Sequence, residues 1–405
     1  MIRVAVALAL SSLACRTLLA APDEELLGKS RGYPIGTRGN WYYDETVRVG
    51  AFSNLDKLLP HHTLKRAASP SPLKRAAVEP AITYRFNNQA YTLDDYLSHQ
   101  RTTGLLVIKD GEILVERYQY DRNDANRFVS HSMAKSLVSL AVGFALAEKK
   151  IRSLDDKAGD YVPGLKGNVY GETKLRNLLR MSSGVRFTEN YEGSDDLAKF
   201  SRVQATKGTI AGLQLFGDRE VPQGDRFHYA SIETSALGAV VRAATGRSLS
   251  DYLDERLWQP MGAEADATWI IGPDNLERAA GNFNAVLRDF GRLGVLLAND
   301  GMQDDTQILP KDYLLEATDW HRHPPAFAPR RGARAFGYGY QFWTMFGERR
   351  RFALLGVYGQ AIFVDPEHKL VMVHTGVAKN ARVGLESMGP EMSALWQGIS
   401  NLFVP

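Results

Sequence analysis

From Met133 to Ala147 the chain is apolar almost without a break, with Leu137, Val138, Leu140, Ala141, Val142, Phe144 and Ala145 leaving no continuous polar face. A helix with that pattern is buried on most sides. It must therefore run through the middle of a fold large enough to wrap it, and 405 residues suffice for two or three domains. Its first turn nevertheless carries Lys135, and burying an unpaired ammonium costs several kcal/mol.

Ser132 offers that lysine a partner. Three positions along a helix amount to about 300° of rotation and roughly 4.5 Å of rise, so the two heads share a face. Burial lowers a lysine's pKa and makes it a usable base near neutral pH. A serine hydroxyl is a weak nucleophile until such a base takes its proton. At a helix start the Ser132 N–H also points toward any oxyanion formed there. The competing reading is a serine that caps the helix and a lysine that snorkels to water. Spacing alone does not decide, because Ser71-Pro72-Leu73-Lys74 repeats it; the prolines there disfavour a helix.

The balance of 49 basic and 46 acidic residues, a formal charge of +3, gives no global field for nucleic acid or anionic lipid. A small-molecule amide or ester is the expected partner. Arg3, the apolar run Val4 to Leu10 and the small-residue site around Leu18-Leu19-Ala20 have the layout of a secretory signal over residues 1–20. The expectation is an exported chain, periplasmic or secreted. The single cysteine, Cys15, lies inside that segment, so cleavage after Ala20 would leave no thiol for a disulfide, a nucleophile or a zinc site. Lipid anchoring at Cys15 is not expected, since the leucine of Ser12-Leu13-Ala14-Cys15 sits one place late for a lipoprotein box. No later stretch is long and apolar enough to span a membrane.

Residues 21–90 read as an N-terminal extension of weak order. Leu64-Lys65-Arg66-Ala67-Ala68 and Leu73-Lys74-Arg75-Ala76-Ala77 flank Ser69-Pro70-Ser71-Pro72 like a solvated linker. Order is expected from about Tyr91: a short helix over Leu93 to His99, then strands on either side of the Asp110-Gly111 turn. From about 150 to 340 the pattern is helical, including Leu175 to Met181, Thr234 to Thr245, Ser250 to Trp258 and Leu287 to Ala298. Strands return at Phe352 to Leu355, Gln360 to Val364 and Leu370 to His374. An amphipathic helix over Val383 to Phe403 closes the chain.

Several ordered segments carry a family resemblance. Val107-Ile108-Lys109-Asp110-Gly111, Ser132-Met133-Ala134-Lys135-Ser136, Leu178 to Gly184, Phe227-His228-Tyr229-Ala230-Ser231, Asp289-Phe290-Gly291-Arg292 and Gly359-Gln360 through Pro366 resemble the serine β-lactamase and penicillin-binding protein superfamily. The likeness runs from about residue 90 to the C-terminus, within the branch related to class C β-lactamases. Leu178 to Gly184, followed by Phe187, Glu189 and Tyr191, is most similar to the 6-aminohexanoate-dimer hydrolase group. The resemblance implies an α+β fold: an antiparallel sheet from both chain ends (91–150 and 340–405) with flanking helices, a mainly helical insertion (151–339) and an active site between them.

It further implies roles for particular residues. Tyr229-Ala230-Ser231 matches the superfamily's second motif, so Tyr229 would relay the proton of Ser132 to the leaving group. Ser231 would bind Lys135 or substrate. Tyr191 could contact substrate. The third motif departs from the pattern. Where Lys-Thr-Gly or His-Thr-Gly belongs, the strand reads Leu354-Leu355-Gly356-Val357-Tyr358-Gly359-Gln360. Gly356 would let substrate approach, the Val357 N–H would complete the oxyanion hole, and Tyr358 would line the pocket. His374-Thr375-Gly376 matches as text but follows the Asp365-Pro366 hairpin, whereas the oxyanion strand should precede it.

Among weaker features, Asp195-Asp196 reads as a helix cap, His321 and His323 as loop residues rather than metal ligands, and His131 and His228 as neighbours of the motifs. The expected activity is serine hydrolysis of an amide or ester through an acyl-enzyme on Ser132, with no metal or organic cofactor. The altered third motif keeps open a penicillin-binding sensor or a silent scaffold of the same fold. The absence of a Gly-x-Ser-x-Gly elbow disfavours an α/β-hydrolase.

Overall fold

The structure is a computed structural model that describes residues 20–331 and 335–403. Residues 1–19, which hold Cys15 and all but the last residue of the expected signal segment, lie outside the described residues. No described helix is long and apolar enough to cross a membrane.

The frame is an eight-stranded sheet. Its order is Phe336–Tyr338, Trp343–Met345, Phe352–Gly356, Gln360–Asp365, Leu370–Gly376, Thr102–Lys109, Glu112–Tyr118 and Lys74–Arg75. Every pair is antiparallel except the last. Both faces are covered, so alternate residues enter two different cores. Leu105, Val107, Phe363 and Met372 meet Leu395, Trp396 and Ile399 of the C-terminal helix Met388–Asn401. Leu106, Ile108, Ile362 and Val371 face the main core, with Leu137, Leu140 and Ala141 of the Ala134–Ala147 helix. Leu287–Ala298 packs on this face too, so it belongs to the sheet although it lies inside the stretch read as a helical insertion.

That stretch also contributes strands. Ala267–Ile270 and Phe283–Val286 form the middle of a second sheet, flanked by His61–Leu64 and Arg127–Val129. Each middle strand has four residues, all buried, which erases the alternation that marks a half-exposed strand. The closing helix is shorter than its apolar pattern suggests. Val383–Leu385 is a separate turn, and the helix begins at Met388.

The largest departure concerns residues 21–90, which are ordered rather than weakly structured. Asp44 caps the helix Glu45–Ala51 through the Thr46 N–H. Leu27, Tyr33, Trp41, Val49, Phe52 and Leu55 form a third core with Tyr120, Val129, Ile270 and Tyr358. Arg48 ties it to the far end of the chain: its Nη1 donates to the Ala378 carbonyl at 2.6 Å and its Nη2 to Tyr43 at 3.1 Å. The Ser-Pro-Ser-Pro segment is anchored too, with the Ser71 N–H on the Gly262 carbonyl and the Ser71 carbonyl on Arg292. Apolar residues scattered singly among Gly and Pro carry no periodicity, so the sequence pattern concealed this packing.

Candidate active site

The small sheet places the serine. The strand Arg127–Val129 runs on into Ser130, whose N–H donates to Phe283 at 2.7 Å. His131 then turns the chain with φ of +42°, a left-handed conformation that strains a non-glycine residue. Packing holds it there. The imidazole lies 4.5 Å from the Phe52 ring and 5.7 Å from Tyr358, centroid to centroid, with Trp41 stacked at 6.4 Å. Burial, with Arg48 and Lys135 nearby, lowers its pKa to about 3, so the ring is neutral. Ser132 follows in the single turn His131–Met133, directly before the core helix.

Lys135 is 1% exposed. Its Nζ lies 2.8 Å from Ser132 Oγ and donates to the Ala280 carbonyl, also at 2.8 Å. Burial lowers its pKa to about 8, against a smaller upward pull from the Glu189 carboxylate. The snorkelling alternative is thereby excluded. Lys135 Nζ stands 5.1 Å from the Tyr229 ring centroid, and the Tyr229 phenol interacts with the Ser132 hydroxyl. Burial first, then Glu189, pushes this phenol far up, so it stays protonated.

Glu189 organises the opposite wall. Its Oε1 accepts from Ser231 Oγ at 2.7 Å and Tyr191 Oη at 2.6 Å, and its Oε2 from the Ser231 N–H at 2.6 Å. Of the two roles expected of Ser231, the bond to Lys135 is not made. The hydroxyl is taken by the Glu189 carboxylate, which stood in the sequence only among the residues of the family resemblance. Tyr191 and Ser231 both line the cleft. Asp195 caps Asp196–Lys207 as expected, accepting from the Ala198 N–H.

Two expectations about the third motif need correction. A Cβ on Gly356 would come within 2.5 Å of the Ser130 carbonyl and 3.2 Å of His131 Cβ. The glycine thus admits the nucleophile's own backbone, not substrate. Tyr358, with φ of +61°, turns away from the cleft into the third core, where the Arg48 guanidinium covers its ring at 4.2 Å. Val357 does line the cleft with Ser132. His374 is fully buried on the neighbouring strand; its Nδ1 bonds the Gly359 carbonyl and its Nε2 lies 3.1 Å from Tyr96 Oη. It stands apart from the cleft-lining residues, as chain order required.

The cleft encloses about 250 Å³. The sequence reading missed Trp41 and Tyr42 from the N-terminal segment, and Arg278, Ala280 and Asn282 before the Phe283–Val286 strand. The aromatic run Trp41-Tyr42-Tyr43 was the available signal for the first pair. His228 bonds the Phe187 carbonyl, and His323 is held by Arg180 and the Glu316 carbonyl. Among the described residues no group of three or more His, Cys, Asp or Glu is placed to hold a metal.

The arrangement is a nucleophile, a desolvated amine and a protonated phenol around one hydroxyl, with a walled cleft beside them. Its sequence and fold both have known relatives. The beta-lactamase family model matches residues 92–375. A 6-aminohexanoate-dimer hydrolase of Paenarthrobacter ureafaciens is 25% identical over 339 residues, covering 80% of this chain and 83% of the relative. A Bacillus anthracis structure with the provisional name 6-aminohexanoate-dimer hydrolase superposes with a TM-score of 0.78 at 22% identity, covering 91% of this chain and 96% of that one. A family VIII carboxylesterase gives a TM-score of 0.56 at 17% identity, covering 74% and 92%. At these identities the solved structures bear on the fold alone.

Proposed function

This chain belongs to the beta-lactamase family, a family of serine hydrolases, and on that premise we propose that it cleaves a linear amide or an ester through an acyl-enzyme on Ser132. One observation carries the assignment: a buried amine with its pKa lowered to about 8, 2.8 Å from the Ser132 hydroxyl oxygen. In the proposed course, neutral Lys135 accepts the Ser132 proton as Oγ attacks the carbonyl. The N–H groups of Ser132 and Val357 hold the oxyanion. Tyr229 gives its proton to the departing amine or alcohol and regains one from the Lys135 ammonium. Water then enters, surrenders a proton to the same pair and releases the acid. Tyr191 and Ser231, held by Glu189, form the substrate wall.

The name of the relative matched over four-fifths of this chain, a 6-aminohexanoate-dimer hydrolase, supports a linear amide over a β-lactam or D-peptide. The third motif departs from the β-lactamase and carboxypeptidase pattern as well, since it lacks the usual Lys or His. That same departure is the one feature favouring a penicillin-binding sensor, which would acylate and never turn over. We also propose export, supported by the layout of residues 1–20, with N-terminal sequencing of the secreted chain as its check.

Ser132→Ala should abolish both hydrolysis of nitrophenyl esters and labelling by a fluorophosphonate. Undiminished turnover in that variant rejects the assignment. A stable adduct without turnover in the unaltered protein supports the sensor.

A further inference from the structure

Two residues lining the cleft carry a formal charge, Asp195 and Arg278. Asp195 is fully engaged: Oδ1 accepts from the Ala198 N–H, and Oδ2 accepts from the N–H groups of Asn190 and Tyr191. Arg278 is not. Its Nε is buried without a hydrogen-bond partner, and among the described residues its side chain enters no salt bridge, hydrogen bond or ring contact. Burial alone lowers its pKa, with no carboxylate opposing that shift. The residue is half-buried, an Nε out of water without a partner is costly, and the guanidinium fork fits a planar carboxylate in two parallel bonds.

Its place in the chain puts it within reach of the reaction. Arg278 precedes by two residues Ala280, whose carbonyl holds Lys135. Two residues span at most about 7 Å of backbone. The Gly281 N–H donates to the Arg278 carbonyl at 3.0 Å, so the segment is a tight turn fixed in front of the Phe283–Val286 strand. Arg278 is therefore held on a rigid element beside the nucleophile. It offers a specific cationic contact that the substituted third motif no longer supplies.

We propose that Arg278 is the carboxylate-binding residue of this cleft, so that the amide or ester cleaved at Ser132 carries a free carboxylate. This deepens the hydrolase reading and rests on it for the cleavage, but the binding itself can be measured without catalysis. Three 4-nitrophenol or phenol esters separate the cases. The adipate half-ester of 4-nitrophenol carries the charge on the acyl side, and 4-carboxyphenyl hexanoate carries it on the leaving side. 4-Nitrophenyl hexanoate is the neutral counterpart. Charge-assisted bonds of this kind correspond to roughly a 10- to 100-fold preference. At least one charged ester should show that preference in kcat/KM. Arg278→Gln should remove it, and Arg278→Lys should keep part of it, with the loss falling on KM more than on kcat. A preference that survives Arg278→Gln, or no preference in the unaltered protein, overturns the proposal. Calorimetric titration of adipate into the Ser132→Ala protein, with and without Arg278→Gln, decides independently of turnover. Binding lost with Arg278 sustains the carboxylate site even if no ester is hydrolysed. Adipate that does not bind, or binds equally to both, sinks it while leaving the hydrolase reading untouched.

Discussion

Replacing Lys135 by methionine should stabilise the protein at neutral pH while destroying its activity. The amine is 1% exposed, and its pKa falls from an ordinary 10.5 to about 8. In the unfolded chain it returns to the ordinary value, so the fold carries a penalty wherever that lysine is protonated. The penalty is complete below pH 8 and vanishes as pH rises through 10.5. At pH 7 it amounts to about 3 kcal/mol, and at pH 9.5 to about 1.4 kcal/mol. Methionine removes the penalty but also loses the bonds to Ser132 and Ala280, at about 1 kcal/mol each. The variant should therefore be about 1 kcal/mol more stable than the unaltered protein at pH 7 and slightly less stable at pH 9.5. Urea denaturation at the two pH values measures this reversal. Ester hydrolysis should fall by about 100- to 10,000-fold, the usual contribution of a general base. A stability difference that does not change between pH 7 and 9.5 would mean the ammonium is not desolvated, and the mechanism would lose its base.

The same amine should set the pH profile: kcat/KM should rise with pH about a midpoint near 8, as neutral Lys135 accumulates. Glu189→Gln removes a charge that holds the lysine's pKa up, so the midpoint should move lower; an upward move contradicts the assigned sign. Gly356→Ala forces a Cβ against the Ser130 carbonyl. It should cost about 1–3 kcal/mol of stability and more than tenfold in kcat, read by thermal denaturation and ester hydrolysis. Arg48→Ala strips two carbonyls of their donor and uncovers the Tyr358 ring, which should cost about 2–3 kcal/mol in denaturant titration.

The parts of the molecule that were legible in the sequence are those written in local periodicity. Leu93–His99 and Leu287–Ala298 fold over the spans their patterns predict, and the Asp110-Gly111 turn joins the expected strands. Ser132 and Lys135 were legible because their spacing brings the two heads together at the start of an apolar helix that has no other place for a charge. The remainder depends on pairing across long distances. Arg127–Val129 finds its partner at Phe283–Val286, which no window of sequence displays. Ser231 was read from its motif neighbours, yet its hydroxyl answers to Glu189, 42 positions away. Arg278 has no flanking signature, and its interest lies in partners it does not have.

The bond from Arg48 to Ala378 closes a span of 330 residues over the ring of Tyr358. Contacts of that range form late, because the entropy of so long a closure is met before the contact returns anything. The turn that strains His131 leans on this closure through Phe52 and Tyr358. The strained turn that precedes Ser132 is therefore set only once residues 48 and 378 have met.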